Sequence, residues 1–300
     1  MGNAITKTLV TMELICNELS YYPIASSNNE AETRFNQLLK CFKEANKTFG
    51  FKTIRFHSNF AEQDITADKK FFEWVSTVSN STLKNTILSF FRKPFADDLN
   101  DKELETFLES DYTIAHDNVP TKESPLGLPI AHIKSTITLS FNSDIFWQKR
   151  KINIIKTNTS EPENLEFAAY NICLETDLKE DEIVEWTDNV MSNSINSKEM
   201  VIKYLSYSKY RVELTDAFLA ELLYWRENNI ELFRYTLLLM KDVEVHPFTG
   251  GMGQTENLKY NGKEASKRIT NTYPDGDRLS YFLENDTVIF VACKGHYKFH

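Results

Sequence analysis

Residues 246–300 read HPFTGGMGQTENLKYNGKEASKRITNTYPDGDRLSYFLENDTVIFVACKGHYKFH. Pro247, Gly250 and Gly251 fall within six residues there, so the stretch opens on a turn and not a helix. A strand begins at Leu258-Lys259. KRIT (267–270) alternates in exposure, RLSYFL (278–283) does the same, and TVIFVAC (287–293) is the most apolar run and therefore the central strand. Pro274-Asp275-Gly276 is a strong turn signal between the second and third of these. Inside or beside the strands stand one carboxylate (Glu256), three cations (Lys259, Arg268, Arg278), an imidazole (His296) and a phenol (Tyr297).

Upstream, 211–214 reads as a short strand. Thr215 can cap a helix whose apolar surface is Phe218, Leu219, Leu222, Leu223, Trp225 and Ile230. A second helix over 231–240 carries Leu232, Tyr235, Leu237 and Leu239. Trp225 is expected in the core and His246 in the shaping of the turn. The order is strand, helix, helix, then three or four antiparallel strands. Two helices would cover one sheet face, leaving the other as the active surface. This defines a domain over 210–300.

The preceding 1–205 reads as a separate α/β unit. An amphipathic helix over 29–48 follows the polar 26–29 and stops at Gly50. A strand covers 51–57, and helices cover 68–76, 83–91 and 102–108. Residues 116–128 are loop, and 130–141 is β-branched and reads as a strand pair or one long strand. Further strands fall at 151–156 and 165–173, separated by the linker-like TNTSEPEN (157–164). Helices follow over 179–191 and 198–208. The fold class is thus α/β (α+β) in two domains.

Net charge is -9, with 11 Lys and Arg against 13 Asp and Glu in 211–300. Nothing global draws nucleic acid, so an RNA site must be a local cationic patch. Cys16, Cys41, Cys173 and Cys293 stand far apart. They suggest reduced core thiols of a cytoplasmic protein, with no zinc pairing, no other metal and no cofactor expected. No run of eighteen apolar residues and no signal peptide is read, so no membrane is expected.

The C-terminal third resembles the RelE/ParE toxin superfamily, and within it the YoeB-like messenger-RNA interferases. Those toxins carry a proline–phenylalanine–glycine turn, a glutamate, a lysine, an "RRIT" strand, an "HRLVY" strand and a "CRYHY" end. This chain has Pro247-Phe248, Glu256, Leu258-Lys259, Arg268-Ile269-Thr270, Arg278-Leu279 and Cys293-Lys294-Gly295-His296-Tyr297 in the same order. The resemblance covers about 210–298; the first 200 residues resemble nothing recognised. The chain departs from the pattern at Tyr273–Gly276, which lengthens a connection, at Lys294-Gly295, which replaces an arginine–aromatic pair, and in being slightly acidic here.

Cleaving RNA without a metal requires activating a 2′-hydroxyl, stabilising a pentacovalent phosphate and protonating the leaving 5′-oxygen. The resemblance implies Glu256 as base and His296 as acid. Arg278 would stabilise the phosphate and Tyr297 would orient the nucleotide. Lys259 and Arg268 would bind the substrate. Read alone, each of these residues is an ordinary surface or packing group; the series in order is what lifts them. The partners implied are RNA (messenger RNA, on or off the ribosome), an antitoxin or a trigger protein, and a second copy in a homodimer. The N-terminal domain would be a sensor or regulator in a toxin–antitoxin or anti-phage setting. The alternative is a non-catalytic RNA- or protein-binding regulator that keeps the toxin fold. The gyrase-directed branch of the superfamily does not need the acid–base set, whose presence argues against it.

Overall fold

The computed structural model describes residues 13–91, 99–116, 119, 124–158, 164–257, 263–270 and 276–296. The chain forms two compact units, Met1–Glu185 and Trp186–His300.

The first unit runs β1 (Glu13–Asn17), α1 (Asn28–Phe49), β2 (Thr53–Arg55), β3 (Asp64–Thr66), β4 (Lys69–Lys70), α2 (Phe71–Thr77), α3 (Ser81–Phe90), α4 (Asp101–Leu108), β5 (Ser110–Thr113), α5 (Gly127–Ile133), β6 (Thr138–Ser140), β7 (Lys151–Asn158) and β8 (Asn164–Ile172). Its main sheet has the order β2-β1-β6-β8-β7-β5. The first four strands are parallel and the last two pairings antiparallel. The helix expected over 29–48 is α1. Ser27 Oγ accepts from Glu30 N, and Phe35, Leu38, Cys41, Ala45 and Phe49 are buried along one face. The abundant phenylalanine is explained here: Phe35 stacks on Trp74 at 4.7 Å, Phe71 meets Phe91 at 4.4 Å, and Tyr21 meets Phe141 edge-on at 4.9 Å. Each such pair contributes roughly 0.5–1.5 kcal/mol beyond the area it buries.

Two readings of this unit need correction. Residues 130–141 are neither one strand nor a strand pair; α5 ends at Ile133 and β6 begins at Thr138. Local β-branching is overridden by a distant carboxylate. Glu18, just past β1, accepts from Leu126 N at 2.5 Å and Gly127 N at 2.9 Å, and so starts α5 from outside it. Residues 157–164 do not act as a linker either, because Thr157 pairs with Asn164 at the end of the β7–β8 hairpin. The tip, 159–163, lies outside the described residues, as do 117, 118 and 120–123 of the loop expected over 116–128, which ends earlier than expected, where α5 begins at Gly127.

The second unit contains the end of α6 (Asp181–Ser194), then α7 (Lys198–Leu205), β9 (Arg211–Leu214), α8 (Asp216–Asn228), α9 (Ile230–Val243), β10 (Thr255–Asn257), β11 (Glu264–Arg268), β12 (Arg278–Glu284) and β13 (Thr287–Ala292). The sheet order is β10-β11-β12-β13-β9. β10 to β13 are antiparallel, while β9 joins β13 in parallel. β13 is thus interior, with β12 at the middle. Thr215 caps α8 by accepting from Phe218 N at 3.1 Å. α8 packs on β13 and α9 on β12, with Phe218 5.5 Å from Phe290. α7 packs against α9 and β9, so this unit begins well before residue 210.

All four cysteines are buried and none is in a disulfide. Among the described residues no helix is long and apolar enough to cross a membrane, and no three His, Cys, Asp or Glu side chains cluster to hold a metal ion.

Candidate active site

Strand alternation sorts the charged residues of the sheet onto two faces. Lys267 and Leu279 are register partners, as are Ala265 and Tyr281. This set faces the helices, because Lys267 Nζ bonds Asp242 Oδ2 of α9 at 2.7 Å. The other set, Ser266 with Ser280 and Arg268 with Arg278, faces away. Glu256 pairs with Ser266 and joins that second set.

Glu256 and Arg268 are in contact. Arg268 donates to Glu256 Oε1 through Nε at 3.0 Å and Nη2 at 2.8 Å. Both side chains are partly exposed, so the pair contributes about 0–1 kcal/mol to stability. Arg268 Nη1 makes no hydrogen bond among the described residues. Arg278, one strand on, is only 4% exposed. Its Nη1 donates to the carbonyls of Gly276 (2.8 Å), Asp277 (3.2 Å) and Thr270 (3.4 Å), while its Nε has no partner among the described residues. The face expected to be open is therefore closed at Ser266, Ser280 and Arg278, all buried.

His296 is exposed, one residue beyond a backbone bond from Arg278 N to Gly295 O at 3.1 Å. The structure thus brings Glu256, Arg268, Arg278 and the His296 segment into one row across β10, β11, β12 and the chain leaving β13. Neighbouring strands lie about 4.8 Å apart, so the backbone row spans roughly 14 Å. Lys259 and Tyr297 lie outside the described residues, as do 273–275 of the connection between β11 and β12.

Four residues that organise this row had no signal of their own in the sequence. Lys267, fully buried, donates to Asp242, to the Gly250 and Met252 carbonyls (3.3 Å each) and to Thr255 Oγ1 at 3.0 Å. Asp242 also accepts from Met252 N at 2.9 Å and meets His246 Nδ1 at 3.0 Å. The 246–253 turn is thereby tied down just ahead of Glu256, and His246 shapes it as expected. Gly251 has φ +76°, and a Cβ there would stand 2.1 Å from Asp242 Oδ2, so only glycine fits. Behind β13, Glu221 and Asp277 bind the backbone that carries His296. Trp225 is buried, as expected, and its indole Nε1 donates to Cys293 O at 3.0 Å.

The family model of the YoeB-like toxin of bacterial type II toxin–antitoxin systems matches residues 214–297. The C-terminal region matches the YoeB-like toxins. The match spans every element from the end of β9 to the His296 segment, and the region has the two helices on a sheet that the order of its elements predicted. The matched residues begin at 214, inside the second unit. Among solved structures, the YoeB dimer from Staphylococcus aureus is 22% identical, covering 30% of this chain and 100% of its own, with a TM-score of 0.27. The heterotetrameric YoeB–YefM toxin–antitoxin complex from the same organism is also 22% identical (30% and 100% covered, TM-score 0.26). A YoeB/ParE toxin from Agrobacterium tumefaciens is 21% identical (29% and 99% covered, TM-score 0.26). No curated protein matches.

Proposed function

We propose that the YoeB-like region is an endoribonuclease toxin that cleaves RNA without a metal ion. A 2′-hydroxyl attacks the adjacent phosphate, leaving a 2′,3′-cyclic phosphate and a 5′-hydroxyl. The observation that supports this reading is the row of neighbouring strands that carries Glu256, Arg268 and Arg278 and ends at the backbone segment bearing His296. Glu256 takes the 2′-hydroxyl proton and a protonated His296 gives one to the 5′-oxygen, steps worth about 10²–10⁴-fold each. Arg268 holds Glu256 through Nε and Nη2 and can offer Nη1 to a phosphate oxygen. The buried Arg278 adds fixed positive charge beside it. Lys259 and Tyr297 complete the substrate contacts on this reading. The substrate is messenger RNA, on or off the ribosome. Staphylococcal YoeB is solved as a dimer and with YefM; a homodimer and an antitoxin or trigger protein are accordingly proposed here. The first unit would regulate the nuclease in a toxin–antitoxin or anti-phage system in the cytoplasm.

A second reading has its own observation. The Nη1 of Arg278 is occupied by three carbonyls and Glu256 by Arg268, an arrangement that would also suit a non-catalytic binder of RNA or protein. Purified full-length protein separates the two when incubated with RNA alone and with RNA loaded on ribosomes. The nuclease gives fragments ending in 2′,3′-cyclic phosphate, and Glu256→Ala and His296→Ala each lower the rate at least about 100-fold. RNA retained but never cut, with both variants behaving as the parent does, would establish the binder instead.

A further inference from the structure

The backbone that carries His296 is held by two carboxylates acting in succession. Cys293 N and Lys294 N donate to Glu221 Oε2 of α8 at 2.8 and 2.9 Å. The next amide, Gly295 N, donates to Asp277 Oδ1 at 2.8 Å. The intervening carbonyls are held as well, that of Cys293 by Trp225 Nε1 and that of Gly295 by Arg278 N. Gly295 has φ +83°, a conformation in which a side chain would be strained, and this bends its N–H toward Asp277. Asp277 is itself fixed, since its Oδ2 accepts from Thr270 Oγ1 at 3.2 Å and its own N–H donates to the same hydroxyl at 2.8 Å. Charge-assisted bonds of this kind are shorter and about twice as strong as neutral ones. An exposed chain end beyond the last strand would not otherwise hold an imidazole in one place.

We infer that Asp277 is a positioning residue that sets His296, through Gly295, against the leaving 5′-oxygen, with Glu221 anchoring the two residues before it. The inference rests on the ribonuclease reading for what His296 does there. In the step concerned, the 2′-oxygen forms the new P–O bond and its proton passes to Glu256. The P–O5′ bond breaks, and the proton from His296 ends on O5′. Misplacing a reacting group by 1 Å costs on the order of 100-fold. The cost of losing the Asp277 carboxylate falls on protonation of the leaving group, because that carboxylate bonds Gly295 N and Thr270 Oγ1, while the bond from Arg278 goes to the Asp277 main-chain carbonyl, which Asp277→Ala keeps.

The test uses the full-length chain and two RNAs that differ at one atom. One has the natural linkage; the other carries a bridging 5′-sulfur at the scissile position, whose thiolate leaves without a proton. On the natural linkage Asp277→Ala lowers kcat by about 30-fold or more with KM within about threefold, and Asp277→Asn, which keeps an acceptor oxygen, recovers most of the rate. On the sulfur linkage Asp277→Ala cleaves within about threefold of the parent, as His296→Ala does. Equal slowing on both linkages, or none on either, overturns the inference. If the parent cleaves neither RNA, it is the ribonuclease reading that fails. The holding of the tail is then decided by amide hydrogen exchange: Gly295 N–H is protected in the parent and in Asp277→Asn and exchanges faster in Asp277→Ala. An unchanged rate in Asp277→Ala overturns it.

Discussion

Lys267 has no exposed surface, and Asp242, two carbonyls and Thr255 Oγ1 surround its Nζ. Breaking such a pair from one side costs about 3–5 kcal/mol, since a buried charge is left unpaired. Lys267→Met should therefore lower the urea midpoint of the second unit strongly; a loss below about 1 kcal/mol would show that the turn rearranges to solvate Asp242. Glu256→Ala is the opposite case. It removes only a half-exposed pair with Arg268, so denaturation should move by less than about 1 kcal/mol while any cleavage is lost. A large change in stability there would mean that the row is a structural tie. Of the six candidate residues, the sequence named Glu256, Arg268, Arg278 and His296 by their order, and the structure sets them on neighbouring strands and the segment after β13. It could not show that Arg278 is buried, because burial depends on what covers a strand face, and strand alternation names the faces without saying which is covered.

At the level of elements, α8 was legible from its Thr215 cap and apolar period, α9 from its apolar period, and β12 and β13 from their alternating and apolar runs. α5 was not, since the carboxylate that starts it comes from Glu18, over a hundred residues away in the chain. The first unit also carries two histidines, His57 and His132, whose pKa values burial pushes below the ordinary value near 6.5. His132 packs on Phe167 at 4.1 Å. Unfolding frees both to bind protons, so this unit is at full stability above pH 6.5 and loses stability as the pH falls below that. Glu30, held down to about 2 by its bonds from Ser26 and then Arg34, adds a loss in the same direction at lower pH. Thermal melts from pH 7.5 to 5 should show the midpoint of the first unit falling; a flat profile would contradict the burial of the two imidazoles. In the second unit, β11 carries Lys267 on one face and Arg268 on the other. A one-residue slip would drive Arg268 under α9 and lift Lys267 off Asp242, so these two neighbours fix the register of the strand that brings the site together.

For the whole molecule, the place where the second unit begins decides which fragments fold. Tyr204 lies under Lys241 Nζ, 3.8 Å from its ring centroid, and the Tyr207 hydroxyl donates to the Met240 carbonyl. Glu244 accepts from Ser208 Oγ at 3.0 Å and Lys209 N at 2.9 Å. A fragment of residues 186–300 keeps all of this. One starting at 210 discards the buried Val201, Tyr204 and Leu205, at about 1.5–3 kcal/mol for each large apolar side chain. The longer fragment should melt cooperatively and the shorter one at a markedly lower midpoint; equal midpoints would show that α7 is dispensable. Expressed in bacteria, growth arrest by 186–300 but not by the full chain would show that the first unit restrains the second. The four buried thiols have a practical consequence. Three of them belong to the first unit, and only Cys293 belongs to the second, at the root of the segment bearing His296. A thiol-specific reagent added to the native chain should stay unreacted until a unit opens. Counting three modified sites against one, residue by residue in a mass spectrum, would time the opening of each unit separately in a single sample, with no label introduced.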